Sequence, residues 1–269
     1  MSISKIKNLV IVALVLINVF FVAVFLIDRG GAELEKRRAL DDLRTVLHNG
    51  GIALNTDALS EGEPLPALIT ERDVAAEELL ALAVLGKAER TSSGGNIYSY
   101  SNEKGRVAFN GRGEFVIDLD YSTETGDAAS VTARILKAMG VETTTPVAVG
   151  GDGNETVTAR CAYKGAEIFN CQVAFSFTEG YVKHASGRRP TGIAAAESGE
   201  LFDVYTALTM FGAAESGGDV TEITAALAGY RFYVNAFGEG ELLPGWRVAT
   251  DAGDFFVNSI TGEVESLDE

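Results

Sequence analysis

Residues 161–187 read CAYKGAEIFNCQVAFSFTEGYVKHASG and contain alternating apolar runs separated by glycine-bearing turns. Alternation of apolar and polar residues predicts β-strands, and turns as short as KGAE and TEG join antiparallel neighbours. We therefore expect strands at 155–164, 167–177 and 180–186. Because no strand–helix–strand alternation surrounds them, the pattern indicates an α+β fold.

The order of one helix followed by an antiparallel meander of short strands extends from this stretch in both directions. Each helix is expected to cover the apolar face of the meander that follows it. The predicted units are a first helix plus strands at 70–121, a second α+β module at 127–188 and a third α+β module at 198–269.

Composition and charge exclude several classes of protein. The 269-residue chain is 46% apolar, so it has enough core-forming residues to fold. Its net charge of −16 repels phosphates, which excludes nucleic acid as a partner. Two histidines and two cysteines are too few for a multi-ligand zinc site. We expect neither a metal nor a cofactor.

Residues 9–27, LVIVALVLINVFFVAVFLI, form the strongest single pattern and carry no charge. A helix of this length spans about 28 Å, close to the hydrocarbon thickness of a bilayer. We expect an uncleaved, single-pass transmembrane helix between a cytoplasmic N-terminus at 1–8 and a juxtamembrane helix and linker at 28–69. A cleaved signal peptide and a buried core helix are the alternatives. Flanking Lys and Arg do not decide the orientation, but the short amino flank and the acidic body favour an extracytoplasmic body.

Asn18 lies in the middle of this apolar run, where a carboxamide facing lipid is costly. A helix–helix contact with another membrane protein would satisfy it, and a single tolerated polar residue is the alternative. The helix face that would form the contact consists of Ile11, Val15, Asn18, Val22 and Phe25.

The two cysteines flank the predicted turn at KGAE. If the loop is Gly165-Ala166-Glu167, Cys161 lies opposite Cys171 and a disulfide is feasible in an oxidising compartment. A two-residue loop would shift the register, and two buried free thiols are the alternative.

Trp246, the only tryptophan, is expected to anchor the last hairpin in the core, with a partner-facing role as the alternative.

The sequence gives only weak signals for catalytic residues. The sequence has no nucleophile elbow, zinc-protease motif or phosphate-binding loop. Asp118 and Asp120 share one face of a predicted strand, and a solvent-facing position is favoured over a catalytic carboxylate pair. We therefore expect no catalytic residues and no enzyme activity.

Two segments carry a resemblance to known proteins. SKIKNLVIVALVLINVFFVAVFLIDRG at 4–30, followed by a charged helix, resembles the YycI/YycH-type regulatory proteins of Gram-positive two-component systems. LLPGWRVATDAGDFFVNSITGEVESL at 242–267 resembles the closing hairpins of that family and of PepSY-type domains. The middle stretch 161–187 matches their general strand pattern.

The resemblance implies a membrane-anchored, extracytoplasmic regulator that binds and modulates a membrane sensor histidine kinase. Contacts are expected through the transmembrane helix and the outer domain, with the lipid bilayer and a sister regulatory protein as further partners. The alternative is a PepSY-type binding or inhibitory module that acts on a secreted protease or a cell-wall hydrolase. An exported enzyme is the third class.

Overall fold

The computed structural model describes residues 36–120 and 132–267, apart from short gaps. The gaps are residues 57–58, 60–61, 63, 134, 138, 141, 145–146, 152–153, 198, 216–217 and 236–238. The predicted N-terminus 1–8 and the membrane segment 9–27 lie outside the described residues, together with all five predicted contact residues around Asn18. None of the helices within the described ranges is both long and apolar enough to cross a membrane.

The described chain contains four helical segments and sixteen strands. The helices are α1 (36–49), α2 (Val74–Leu85), α3 (including 132–133 and 135–137) and α4 (Val204–Ala214). The strands are β1 (Ala53–Leu54), β2 (Leu68–Thr70), β3 (Glu89–Ser92), β4 (Tyr98–Asn102), β5 (Gly105–Phe109), β6 (Glu114–Leu119), β7 (Glu142–Thr143), β8 (Val147–Gly151), β9 (Asn154–Tyr163), β10 (Ala166–Thr178), β11 (Tyr181–Arg188), β12 (Ile193–Ala195), β13 (Glu222–Val234), β14 (Gly240–Thr250), β15 (Gly253–Asn258) and β16 (Val264–Ser266).

All sixteen strands belong to one mixed sheet, whose main path runs β12-β2-β14-β13-β10-β11-β6-β5-β4-β3. Most neighbours are antiparallel hairpin partners. β13 differs, because it pairs with β14 in antiparallel fashion along one edge and in parallel with both β1 and β10 along the other. The β10–β13 contact is short, with Glu167 opposite Gly229 and Ile168 opposite Tyr230.

The predicted fold class, a transmembrane helix followed by repeated helix-plus-meander modules, is wrong. β11 pairs with β6 and β10 pairs with β13, so the strands of all three predicted units join one sheet. The single transmembrane helix is not seen among the described residues. Local alternation reveals strands and tight turns, but a two-residue parallel contact between distant strands leaves no local pattern. The predicted domain boundaries remain predictions.

Helix α2 begins where the sequence provides a capping side chain. The Asp73 carboxylate accepts a hydrogen bond from the Ala76 backbone N–H at 2.9 Å, which satisfies one of the free donors of the first turn. Gly86, with φ of 75°, ends the helix. Thr70 is the last residue of β2, which precedes the helix.

Two apolar cores lie along the sheet. The first is covered by α2 and α3 and includes Leu80, Leu136, Val173 and Phe175. The second lies under α1 and α4 and includes residues such as Leu47, Phe211, Trp246 and Val257. β13 reaches both, since Ile223 and Ala226 belong to the second core whereas Tyr230 and Phe232 belong to the first.

Two glycines face each other across the β13–β14 pair and leave room for aromatic rings. Gly229 lies opposite Gly245 in the ladder. A Cβ atom at Gly229 would lie 2.3 Å from the Phe169 ring, and one at Gly245 would lie 2.3 Å from the Phe256 ring. The two rings pack edge to face at 6.1 Å. Glycine is therefore required here by close packing rather than by a turn.

Gly245→Ala is expected to lower the free energy of unfolding by about 1–3 kcal/mol, because the added methyl group overlaps the Phe256 ring and the Val257 carbonyl. Gly199→Ala is the matched control, since nothing lies within 4 Å of a Cβ at that position. Urea unfolding measures both changes. Equal stability of the two variants would contradict the close packing.

Candidate functional site

One face of the sheet is not covered by the helices that the structure describes. The helices of the first core pack on the opposite face, and Leu80 of α2 belongs to the same buried cluster as Val173 and Phe175 of β10. The uncovered side, which we term the outer face, is formed by side chains at alternate positions of β8, β9, β10, β11 and β6. Its residues are Val116, Asp118, Val147, Val149, Thr156, Thr158, Ala174, Ser176, His184 and Ser186.

The most exposed apolar part of the outer face is β8. Val147 and Val149 are 59% and 68% exposed, and Val116 is 38% exposed. β8 pairs with β9 on one side only, so its second edge has no strand partner among the described strands. The strand VAVGG carries no charge, although charged residues commonly protect such edges from pairing. This edge therefore has the properties of a protein-binding surface.

Asp118 and Asp120, the two carboxylates weighed as a catalytic pair, have different hydrogen-bond partners. Asp118 lies on β6 directly opposite His184 of β11, and its Oδ1 is 2.7 Å from His184 Nδ1. Both side chains are exposed to solvent. Asp120 follows the end of β6, and its backbone N–H donates to the Lys104 carbonyl. Asp118 and His184 therefore form an exposed cross-strand pair.

Cys161 and Cys171 are free, buried thiols in the first core. The turn between β9 and β10 has two residues, Lys164 and Gly165, both with positive φ, and the pairing shifts register between Glu167 and Gln172. Burial raises the pKa of Cys161 to about 12 and raises the pKa of Cys171 still more. Neither thiol supplies a nucleophilic thiolate at neutral pH.

Trp246 lies fully buried in the second core, against α4. Its indole N–H donates to the Phe202 carbonyl at 3.1 Å, just before the start of α4. This bond fixes the chain that enters α4 relative to the sheet. The residue is therefore positioned as a core anchor.

A buried group of charges lies where α2 meets the end of β11. Arg72 and Glu77 form a two-pronged ion pair with both contacts at 2.8 Å. Arg189 is only 4% exposed, and its Nη1 donates to the Met139 carbonyl at 2.7 Å. Its Nη2 is buried and has no hydrogen-bond partner among the described residues. Burial lowers the pKa of Arg189 below its ordinary value, and the nearby charges of Glu77 and Asp73 oppose this change.

Arg189 lines a cleft of about 370 Å³. The cleft lies between the first turn of α2, the end of α3, the strands β9 and β10, and the segment after β11. Its apolar lining includes Met139, Ile168 and Ile193, and its acidic lining consists of Asp73 and Glu142. The volume lies within the range of small-molecule sites.

Sequence reasoning missed this cleft. A signal was present, because period-two alternation from the buried Ala185 places residue 189 on the same inward face. The approach of the start of α2 to the segment after β11, more than 100 positions away in the chain, is what the sequence does not show.

Comparison with known proteins gives distant similarities. No family model and no curated protein matches the chain. An uncharacterized protein from Eubacterium rectale is 12% identical with a TM-score of 0.46, covering 80% of this chain and 85% of that one. The Bacillus megaterium YpeB C-terminal domain is 13% identical with a TM-score of 0.36, covering 74% of this chain and 99% of that one. Neither similarity is strong enough to assign a family, and the resemblance to YycI/YycH-type and PepSY-type proteins remains a prediction.

Glu77→Gln is expected to destabilise the protein by about 3 kcal/mol, because it leaves Arg72 and Arg189 buried without their shared anion. Glu78→Gln removes an equal charge from the exposed side of the same helix and should change stability by less than about 0.5 kcal/mol. Urea unfolding compares the two. A similarly small change in stability for both substitutions would show that Glu77 does not stabilise the buried charges of Arg72 and Arg189.

Proposed function

We propose that this chain is a membrane-associated, extracytoplasmic regulator that binds a two-component sensor histidine kinase and shifts the equilibrium between its signalling states. The observation that carries the proposal is the uncharged edge of β8, which has two exposed valines and no partner on its second side among the described strands. The apolar stretch 9–27 supports the membrane location from sequence alone. The protein acts by binding and catalyses no reaction.

The kinase contributes an extended segment of its extracytoplasmic part to the open edge. Backbone N–H and C=O groups of β8 pair with that segment, as in other cases of strand addition. Apolar side chains at alternate positions of the segment pack on Val147 and Val149, which share one face. The net charge of −16 favours a neutral or basic segment over an acidic one.

This mode of binding explains how a regulator without catalytic activity of its own can change the activity of a kinase. A segment that pairs with β8 in one signalling state, but not in the other, shifts the kinase toward the bound state by the difference in affinity. The contact proposed around Asn18 would add to this affinity within the membrane. Its residues lie outside the described part of the chain.

Val149→Lys in the full-length chain is expected to weaken association with the kinase at least about tenfold, because a lysine at this position removes apolar contact and opposes edge pairing. Thr91→Lys is the matched control, since Thr91 lies exposed on β3 at the other end of the sheet. Association is measured with both proteins in vesicles, together with kinase autophosphorylation.

A photo-crosslinking residue placed at position 149 or at position 91 identifies the partner in native membranes. The proposal expects the sensor kinase to be crosslinked from 149 and not from 91, with autophosphorylation altered by the Val149 substitution. Crosslinking of a secreted protease or wall hydrolase from position 149 would instead favour the inhibitory module. Unchanged association and autophosphorylation would overturn the proposal.

A further inference from the structure

We infer that the cleft beside Arg189 binds a free apolar α-amino acid in its zwitterionic form. The Arg189 guanidinium binds the α-carboxylate, the acidic rim binds the α-ammonium group, and the apolar wall holds the side chain. This inference does not depend on the partner that the outer face binds.

The first observation is the state of the Arg189 guanidinium. It is nearly fully buried, and only one of its terminal nitrogens has a hydrogen-bond acceptor, the Met139 carbonyl, among the described residues. Buried polar groups are normally hydrogen-bonded, and an unpaired donor of a charged group is especially costly. A carboxylate supplies the acceptor and the charge that this donor lacks, and arginine binds carboxylates with two parallel hydrogen bonds.

The second observation concerns the neighbouring charges. Glu77 interacts with Arg189, but both of its oxygens already accept hydrogen bonds from Arg72. Glu77 is therefore already paired, and Asp73, the other carboxylate that acts on Arg189, is exposed at the rim of the cleft. An anion within the cleft would compensate the buried charge of Arg189.

The third observation selects a zwitterion over a simple anion. Asp73 and Glu142 line the cleft and are exposed toward solvent. Asp73 uses one oxygen to cap α2, which leaves its second oxygen for another donor. Two carboxylates at the rim repel a phosphate or a dicarboxylate, whereas they attract an ammonium group on the same ligand.

The fourth observation indicates that the side chain of the ligand is apolar. Met139, Ile168 and Ile193 supply apolar lining, and Met139 and Ile168 are almost fully buried. A cleft of about 370 Å³ is large enough for a molecule the size of leucine. A charged side chain would lose its hydration against this lining without gaining a partner.

Equilibrium dialysis of the full-length chain with radiolabelled L-leucine tests the inference. Saturable binding is expected, with L-leucinamide and N-acetyl-L-leucine competing at least about tenfold less well, because each lacks one of the two charges. No saturable binding of L-leucine would overturn the inference. Competition by L-leucinamide as strong as that by L-leucine would overturn the role of the carboxylate and, with it, the proposed site.

Substitutions in the cleft test whether L-leucine binds beside Arg189. Arg189→Met and Ala76→Phe should each raise the dissociation constant at least about tenfold, the first by removing the cation and the second by filling the cleft. Ala76→Phe leaves Arg189 in place, so it remains informative if Arg189→Met does not fold. Ala75→Phe is the matched control on the exposed side of α2 and should bind normally. Normal binding by Ala76→Phe would place the amino acid elsewhere and contradict the inference.

Discussion

The parallel contact between β10 and β13 joins the two halves of the molecule, and the rest of the sheet depends on it. β10 belongs to the antiparallel strands of the first core, and β13 extends from that core into the second. The contact is reinforced by side chains, because Asn170 accepts a hydrogen bond from the Phe232 N–H and donates one to the Phe232 carbonyl. Arg247 on β14 adds an ion pair with Glu167 on β10 at 3.4 Å.

Close packing across this junction requires particular residues. Phe169 of β10 lies over Gly229 of β13, and Arg247 stacks over the same ring at 5.6 Å. A larger residue in place of the glycine would push β10 away from β13. The junction therefore combines hydrogen bonds, charge pairing and aromatic packing at a point where only two residue pairs are in register.

The sequence predicted strands better than it predicted their assembly. The expected strands at 155–164, 167–177 and 180–186 correspond to β9, β10 and β11, because alternation and glycine turns are local signals. The joining of three expected modules into one sheet depends on contacts such as Glu167 with Gly229, which are distant in the chain. The buried position of Arg189 has the same cause, since the alternation is local but the cleft is built from α2, the end of α3, β9, β10 and the segment after β11.

The most direct test is whether the two cores unfold together, as they should if the β10–β13 contact joins them into one folding unit. Trp246 fluorescence reports on the second core, and reaction of the two buried thiols with a cysteine reagent reports on the first. The account predicts that both signals change at the same urea concentration, as in a two-state transition. Exposure of the thiols at a clearly different urea concentration from the change in Trp246 fluorescence would show that the halves unfold separately and would contradict the account.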